Sequence, residues 1–108
     1  MIRVRGGTIV AMYRHIVLLT LEPGTTEAQR TAIFDGLRAL PAQIEALAEY
    51  LVGPDLGWAE GNAEIGIMAR FATKDDFVTY RDHPAHRAVI DNDILPVLES
   101  RLAIQFEE

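Results

Sequence analysis

Short apolar runs with a period of two alternate along this chain with stretches whose apolar positions recur every three to four residues. His15-Ile16-Val17-Leu18-Leu19-Thr20-Leu21 is too short for a typical helix and rich in branched side chains, which predicts a strand ended by Pro23-Gly24. Alternation puts His15, Val17, Leu19 and Leu21 on one face and Ile16, Leu18 and Thr20 on the other. Both faces are largely apolar, so both need cover. Thr26-Glu27-Ala28-Gln29 has the form of a capping box, and Ile33, Phe34, Leu37 and Leu40 then give a helical stripe that Pro41 interrupts. Ile44 and Leu47 suit a short further turn. Residues 48–52 read as a second strand and residues 53–62 as a Gly-rich loop. Residues 63–71 read as a third strand, with Ile65, Ile67, Ala69 and Phe71 alternating with Glu64, Gly66, Met68 and Arg70.

Thr73 followed by Asp75 and Asp76 is a second helix start, its acids suited to the helix dipole. That helix runs to about Arg81 or Asp82, because His83 precedes a proline and is pushed to extended backbone. Pro84 opens a new helix that turns Val89, Ile90 and Ile94 inward and fades near Pro96. Residues 101–106 form a last strand with Leu102, Ile104 and Phe106 on one face. The order strand, helix, strand, strand, helix, helix, strand is a ferredoxin-like split β-α-β arrangement. It predicts a two-layer α+β subunit, a four-stranded antiparallel sheet with helices on one face. The opposite face, to which this reading assigns Val17, Leu19 and Ile67, is then left in water. Burying an exposed Leu or Ile is worth roughly 1.5–3 kcal/mol, so that face should either pair with a second copy or curl around a pocket.

At 108 residues the chain has room for one domain. Residues 1–11, with two arginines and the Gly6-Gly7 pair, lack the pattern of the rest, so the functional domain is expected over residues 12–108 with an N-terminal extension before it. Thr8 to Met12 could instead lengthen the first strand. Sixteen acidic residues against ten scattered basic ones give −6, which disfavours nucleic acid and anionic membranes as partners. The absence of cysteine excludes disulfides, thiolate metal sites and thiol nucleophiles and fits a cytoplasmic setting. No apolar run is long enough to span a membrane, and no signal peptide is expected. P-loop, dinucleotide and Gly-x-Ser-x-Gly patterns are missing, so neither a nucleotide cofactor nor serine hydrolase chemistry is expected, and no cofactor is assigned. His83 and His86 have His-x-x-His spacing, but the proline between them scrambles their directions and no third ligand is evident, so no metal is expected either.

The segment 77–86 carries the most chemistry, with Tyr80, His83 and His86 placed across a break between helices. A histidine in a first helical turn is disfavoured as imidazolium by the helix dipole, which suits His86 to accept a proton near neutral pH. Tyr80, six residues earlier, could donate a hydrogen bond to a substrate carbonyl as an enolate forms. The competing reading is plain packing: Tyr80 shares a helix face with Phe77, and a first-turn histidine often caps. His83 reads as a turn or cap residue. His15 lines a pocket if its face is the concave one and is otherwise an ordinary strand-end histidine.

Together the opening strand His15-Ile16-Val17, the Thr26–Gln29 helix start, the strand ending at Phe71 and the Tyr-x-x-His-Pro-x-His run from Tyr80 to His86 resemble the stress-responsive A/B barrel family, also called the dimeric α/β barrel or Dabb family. The resemblance covers nearly all of residues 12–106. It implies a homodimer of ferredoxin-like subunits, each with a pocket between sheet and helices. Plant members that look like this are polyketide cyclases, which implies Tyr80 and His86 as the acid–base pair of an intramolecular aldol closure. Wall residues expected for a small apolar or phenolic ligand are His15, Val17, Leu19, Phe34, Leu37 and Ile67. The chain departs from the cyclase-like pattern in placing Phe34 and Leu37 where a pocket tyrosine is wanted, and in an apolar third strand. Two other readings stand beside the cyclase-like one: a cofactor-free monooxygenase of similar fold, and a stress-related binding module without turnover.

Overall fold

The computed structural model describes residues 2–5 and 8–108; the Gly6-Gly7 pair lies outside them. Strands β1 (Ile2–Arg5) and β2 (Thr8–Ala11) form an antiparallel ladder of their own, so residues 8–11 do not lengthen the strand that follows. The main body runs β3 (Tyr13–Leu21), α1 (Glu27–Arg38), β4 (Glu49–Pro54), β5 (Ile65–Phe71), α2 (Lys74–Asp82), α3 (Pro84–Val89) and β6 (Leu98–Glu107). Its four antiparallel strands lie in the order β4-β5-β3-β6, with the helices on one face. This is the ferredoxin-like arrangement expected above.

Local chemistry sets the helix boundaries. Gln29 N–H donates to the Thr26 hydroxyl at 3.1 Å and the Thr26 N–H donates to the Gln29 side chain at 2.8 Å, which completes the capping box of α1. Thr73 caps α2 by accepting from Asp76 N–H at 3.0 Å. His83 stands at ψ 134°, extended as its proline demands, and its Nδ1 accepts from Ala85 N–H to cap α3. After Val89 the chain makes one wide π-helical turn, Ile90–Ile94, and a 3-10 turn, Leu95–Val97, before β6. α1 passes close to this region at Gly36, where a Cβ would stand 3.0 and 3.2 Å from the two Val89 methyls.

Strand register fixes the two faces of the sheet. Val17, Leu19 and Ile67 sit beneath the helices and are buried with Ile33, Leu37, Leu40 and Phe71. They are therefore the covered face, not the open one assigned to them above. Opposed residues of paired strands share a face, and Leu51, Met68, Ile16 and Ile104 make one row across the open side while Gly66, Leu18 and Leu102 make the next. Leu102 is 70% exposed, Leu51 59% and Ile104 57%. Beside this face the loop of residues 55–64 holds Trp58, 86% exposed, over a shallow depression shared with Leu18 and Gly66. At one end of the strands Arg70 donates twice to the Glu108 carboxylate, at 2.6 and 2.9 Å, and Arg14 donates to it at 2.7 Å.

Candidate active site

A cavity of about 320 Å³ opens between the sheet and α2, α3 and the turns after it. That is the lower end of the range for small-molecule sites. Its buried floor is Val17, Leu19, Leu37, Ile67 and Tyr80. His15 and His86 add buried imidazoles, Phe77, Ile90, Ile94 and Leu98 add apolar wall, and Arg81, Arg87, Leu95, Arg101 and Gln105 stand exposed around it.

His86 is brought inward by α3, whose start at Pro84 reverses the chain after Tyr80. The two rings stack, with centroids 4.1 Å apart and planes 28° apart. His86 Nδ1 lies 3.1 Å from the Arg81 carbonyl oxygen, which can only accept, so Nδ1 carries the proton. In the neutral ring Nε2 is then the lone-pair nitrogen. Burial holds this imidazole below the ordinary histidine value, with the Arg87 and Arg101 charges adding to the effect and backbone hydrogen bonding opposing it. The neutral state expected above is therefore supported, but from a different cause. α3 has only six residues, and burial is the largest cause of the shift.

His15 reaches the same cavity from β3. The Gln105 side-chain amide donates to its Nδ1 at 2.8 Å, which leaves the ring proton on Nε2. Burial first, then the charges of Arg101 and His86, bring its pKa down to about 4. The ring packs edge-on against Phe77, with centroids 5.1 Å apart.

Tyr80 is 2% exposed, and its hydroxyl lies 3.1 Å from that of Tyr50. Burial pushes both phenols above the ordinary tyrosine pKa, so both stay protonated. Tyr50 reaches this position through register alone: it pairs with Ala69, which pairs with His15. It is not part of the cavity wall.

Of the expected wall residues, His15, Val17, Leu19, Leu37 and Ile67 meet around the cavity with Tyr80 and His86. Phe34 does not. It lies about 100° round α1 from Ile33 and faces the loop of residues 55–64, with the Arg38 guanidinium 4.9 Å above its ring. Sequence reasoning missed Arg101 and Gln105, although their signal was present: they alternate with Leu102, Ile104 and Phe106 on β6, and the polar side faces the cavity. His83 is occupied as a helix cap, apart from His86. Among the described residues no cluster of three or more histidine, aspartate or glutamate side chains could hold a metal ion, and no helix is long and apolar enough to cross a membrane.

The profile of the stress responsive A/B barrel domain (Dabb) matches residues 13–108. The chain belongs to the Dabb family. No curated protein matches it. Among solved structures, this Dabb chain is similar to a dimeric ferredoxin-like protein of unknown function from Thermobifida fusca, with 38% identity, a TM-score of 0.82 and coverage of 90% of this chain and 91% of the other. It is also similar to a dimeric ferredoxin-like protein of unknown function from Bacteroides fragilis, with 27% identity, a TM-score of 0.79 and coverage of 90% and 96%. The Dabb fold is further shared with the hydroxynitrile lyase of Passiflora edulis, at 18% identity, a TM-score of 0.78 and coverage of 90% and 93%.

Proposed function

We propose that this Dabb protein is a homodimer in which each protomer's cavity binds a small, largely apolar carbonyl compound, and that His86 takes a proton from it. The observation that carries this reading is the state of His86: a buried, neutral imidazole on the cavity wall, its Nδ1 proton held by the Arg81 carbonyl and its Nε2 lone pair left to act as base. Tyr80 supports the same step. When the Tyr50 hydroxyl donates to the Tyr80 oxygen, the Tyr80 proton is left for a substrate oxygen. The proton leaves the carbon beside the carbonyl for His86 Nε2, the C–H electron pair moves to form an enolate, and the phenol bonds the oxygen that gains charge. Aldol closure needs this pairing of base and oxygen donor. Cyanohydrin cleavage, the reaction of a hydroxynitrile lyase such as the one sharing the fold, also needs a base, which there takes the hydroxyl proton as the C–CN bond breaks and its electron pair leaves with cyanide. The dimer is supported by the apolar open face and by dimeric structures of the same fold.

Proton transfer can be read without knowing the natural substrate. Arylmethyl ketones such as phenylacetone, incubated in D2O, report abstraction as loss of the adjacent C–H signals by NMR. The protein should accelerate exchange over buffer, and His86→Ala should remove about 10²–10⁴-fold of that rate while sedimentation still shows a dimer. Equal rates for the wild type and the variant would remove His86 as base. A ketone that binds in the cavity without exchanging would leave a binding module.

A further inference from the structure

The charged groups around the cavity are of one sign. Arg81, Arg87 and Arg101 line it, and among the described residues no aspartate or glutamate does, in a chain whose net charge is −6. Two of the three arginines are already engaged. Arg81 donates to the two oxygens of Asp82 at 2.9 and 3.1 Å, and Arg87 donates to Asp91 at 3.2 Å. Arg101 has no carboxylate partner among the described residues. Its place is set by the sheet: it pairs with Leu19 on β3, a floor residue, so its side chain leaves β6 on the helix-covered side. Gln105, four residues on, points the same way and fixes His15 with its ring proton on Nε2. The mouth thus offers a guanidinium and an imidazole N–H as donors, and His86 Nε2 as acceptor.

We propose that Arg101 binds the carboxylate of the ligand, so that the compound taken by this cavity is a compact, largely apolar carboxylic acid. The proposal deepens the reading of the preceding subsection and rests on it. A planar guanidinium fork matches a carboxylate through two parallel hydrogen bonds, while the apolar floor takes the body of the molecule and His86 faces its acidic proton. The arginines at the mouth also favour entry of an anion into a protein that otherwise repels it. Arg101 lowers the proton affinity of His15, His86 and Tyr80 together. A bound carboxylate would offset that charge, so ligand binding should raise the histidine pKa values.

The test uses matched pairs: benzoate, phenylacetate and phenylpyruvate, each against its primary amide. Binding to the full-length protein is followed by calorimetry and by NMR shifts of the histidine ring protons. At least one acid should bind at least about tenfold more tightly than its amide, the difference expected of a charge-assisted pair. Arg101→Met should bring that ratio to near one without weakening the amide, and Arg101→Lys should keep part of it. Amides that bind as well as acids, or a preference that survives Arg101→Met, would overturn the role of Arg101 and leave the His86 reading intact. No binding by any member of the panel would overturn both.

Discussion

His15 and His86 share one cavity wall and differ in the hydrogen-bonding character of Nε2. The Gln105 amide leaves His15 as an N–H donor, and the Arg81 carbonyl leaves His86 as an acceptor. Both are held below the ordinary histidine value, chiefly by burial, His15 at about 4. The unfolded chain therefore binds protons first as pH falls. Stability contributed by the neutral rings is full above about pH 6.5 and is lost progressively as pH falls toward 4. Allowing for solvent reaching the rings through the cavity, His15 should account for about 1 kcal/mol, or roughly 4–8 °C in Tm. Thermal melts between pH 7 and pH 4.5 in wild type and His15→Gln check this: the slope should flatten in the variant, and an unchanged slope would assign the loss elsewhere. Glu108 overlaps only the acid end of this window. Hydrogen bonds from Arg70 and Arg14 hold it at about 2, so its stabilising contribution starts to be lost near the ordinary carboxylate value and goes on being lost toward pH 2.

Among the elements, α1 and α3 come together at Gly36, where only a hydrogen faces Val89. Gly36→Leu should force the helices apart and lower stability by about 1–3 kcal/mol, read as the midpoint of urea unfolding. An unchanged midpoint would mean that α3 can yield without cost. The elements most legible in the sequence are those fixed by local chemistry: the Thr26 and Thr73 caps, the extended His83 and the Pro84 start each depend on residues within one turn. The identity of the open face was not legible. Both sides of β3 are apolar, so its own pattern does not choose, and β6 decides the matter against intuition by turning Arg101 and Gln105 inward and Leu102 and Ile104 outward. Tyr50 was invisible for a similar reason, since its bond to Tyr80 spans thirty positions and exists only through register. The cavity itself was half legible. The segment from Tyr80 to His86 announces a tyrosine and a histidine, whereas the donors on β6 depend on which side of the sheet the helices cover.

For the whole molecule, the main question is what covers the open face. Leu51, Leu102 and Ile104 stand exposed in contiguous rows. Burying each is worth roughly 1.5–3 kcal/mol, and together they can offset a large part of the entropy that association costs. Leu102→Glu combined with Ile104→Glu places two charges in the centre of that face. The expected outcome is a monomer by sedimentation velocity at concentrations where the wild type is a dimer. A variant that still sediments as a dimer would move the contact to another surface. The cavity lies on the opposite side of the sheet, so phenylacetone binding should persist in any monomer that stays folded.

Trp58 sits beside that open face and is the chain's single tryptophan. In an isolated protomer its indole is bathed in water, and a partner on the open face would exclude that water. Emission colour then becomes an unlabelled gauge of self-association, shifting to the red on dilution without any change in fold. The phenols of Tyr50 and Tyr80, enclosed on the other side of the sheet, would stay silent while it does so.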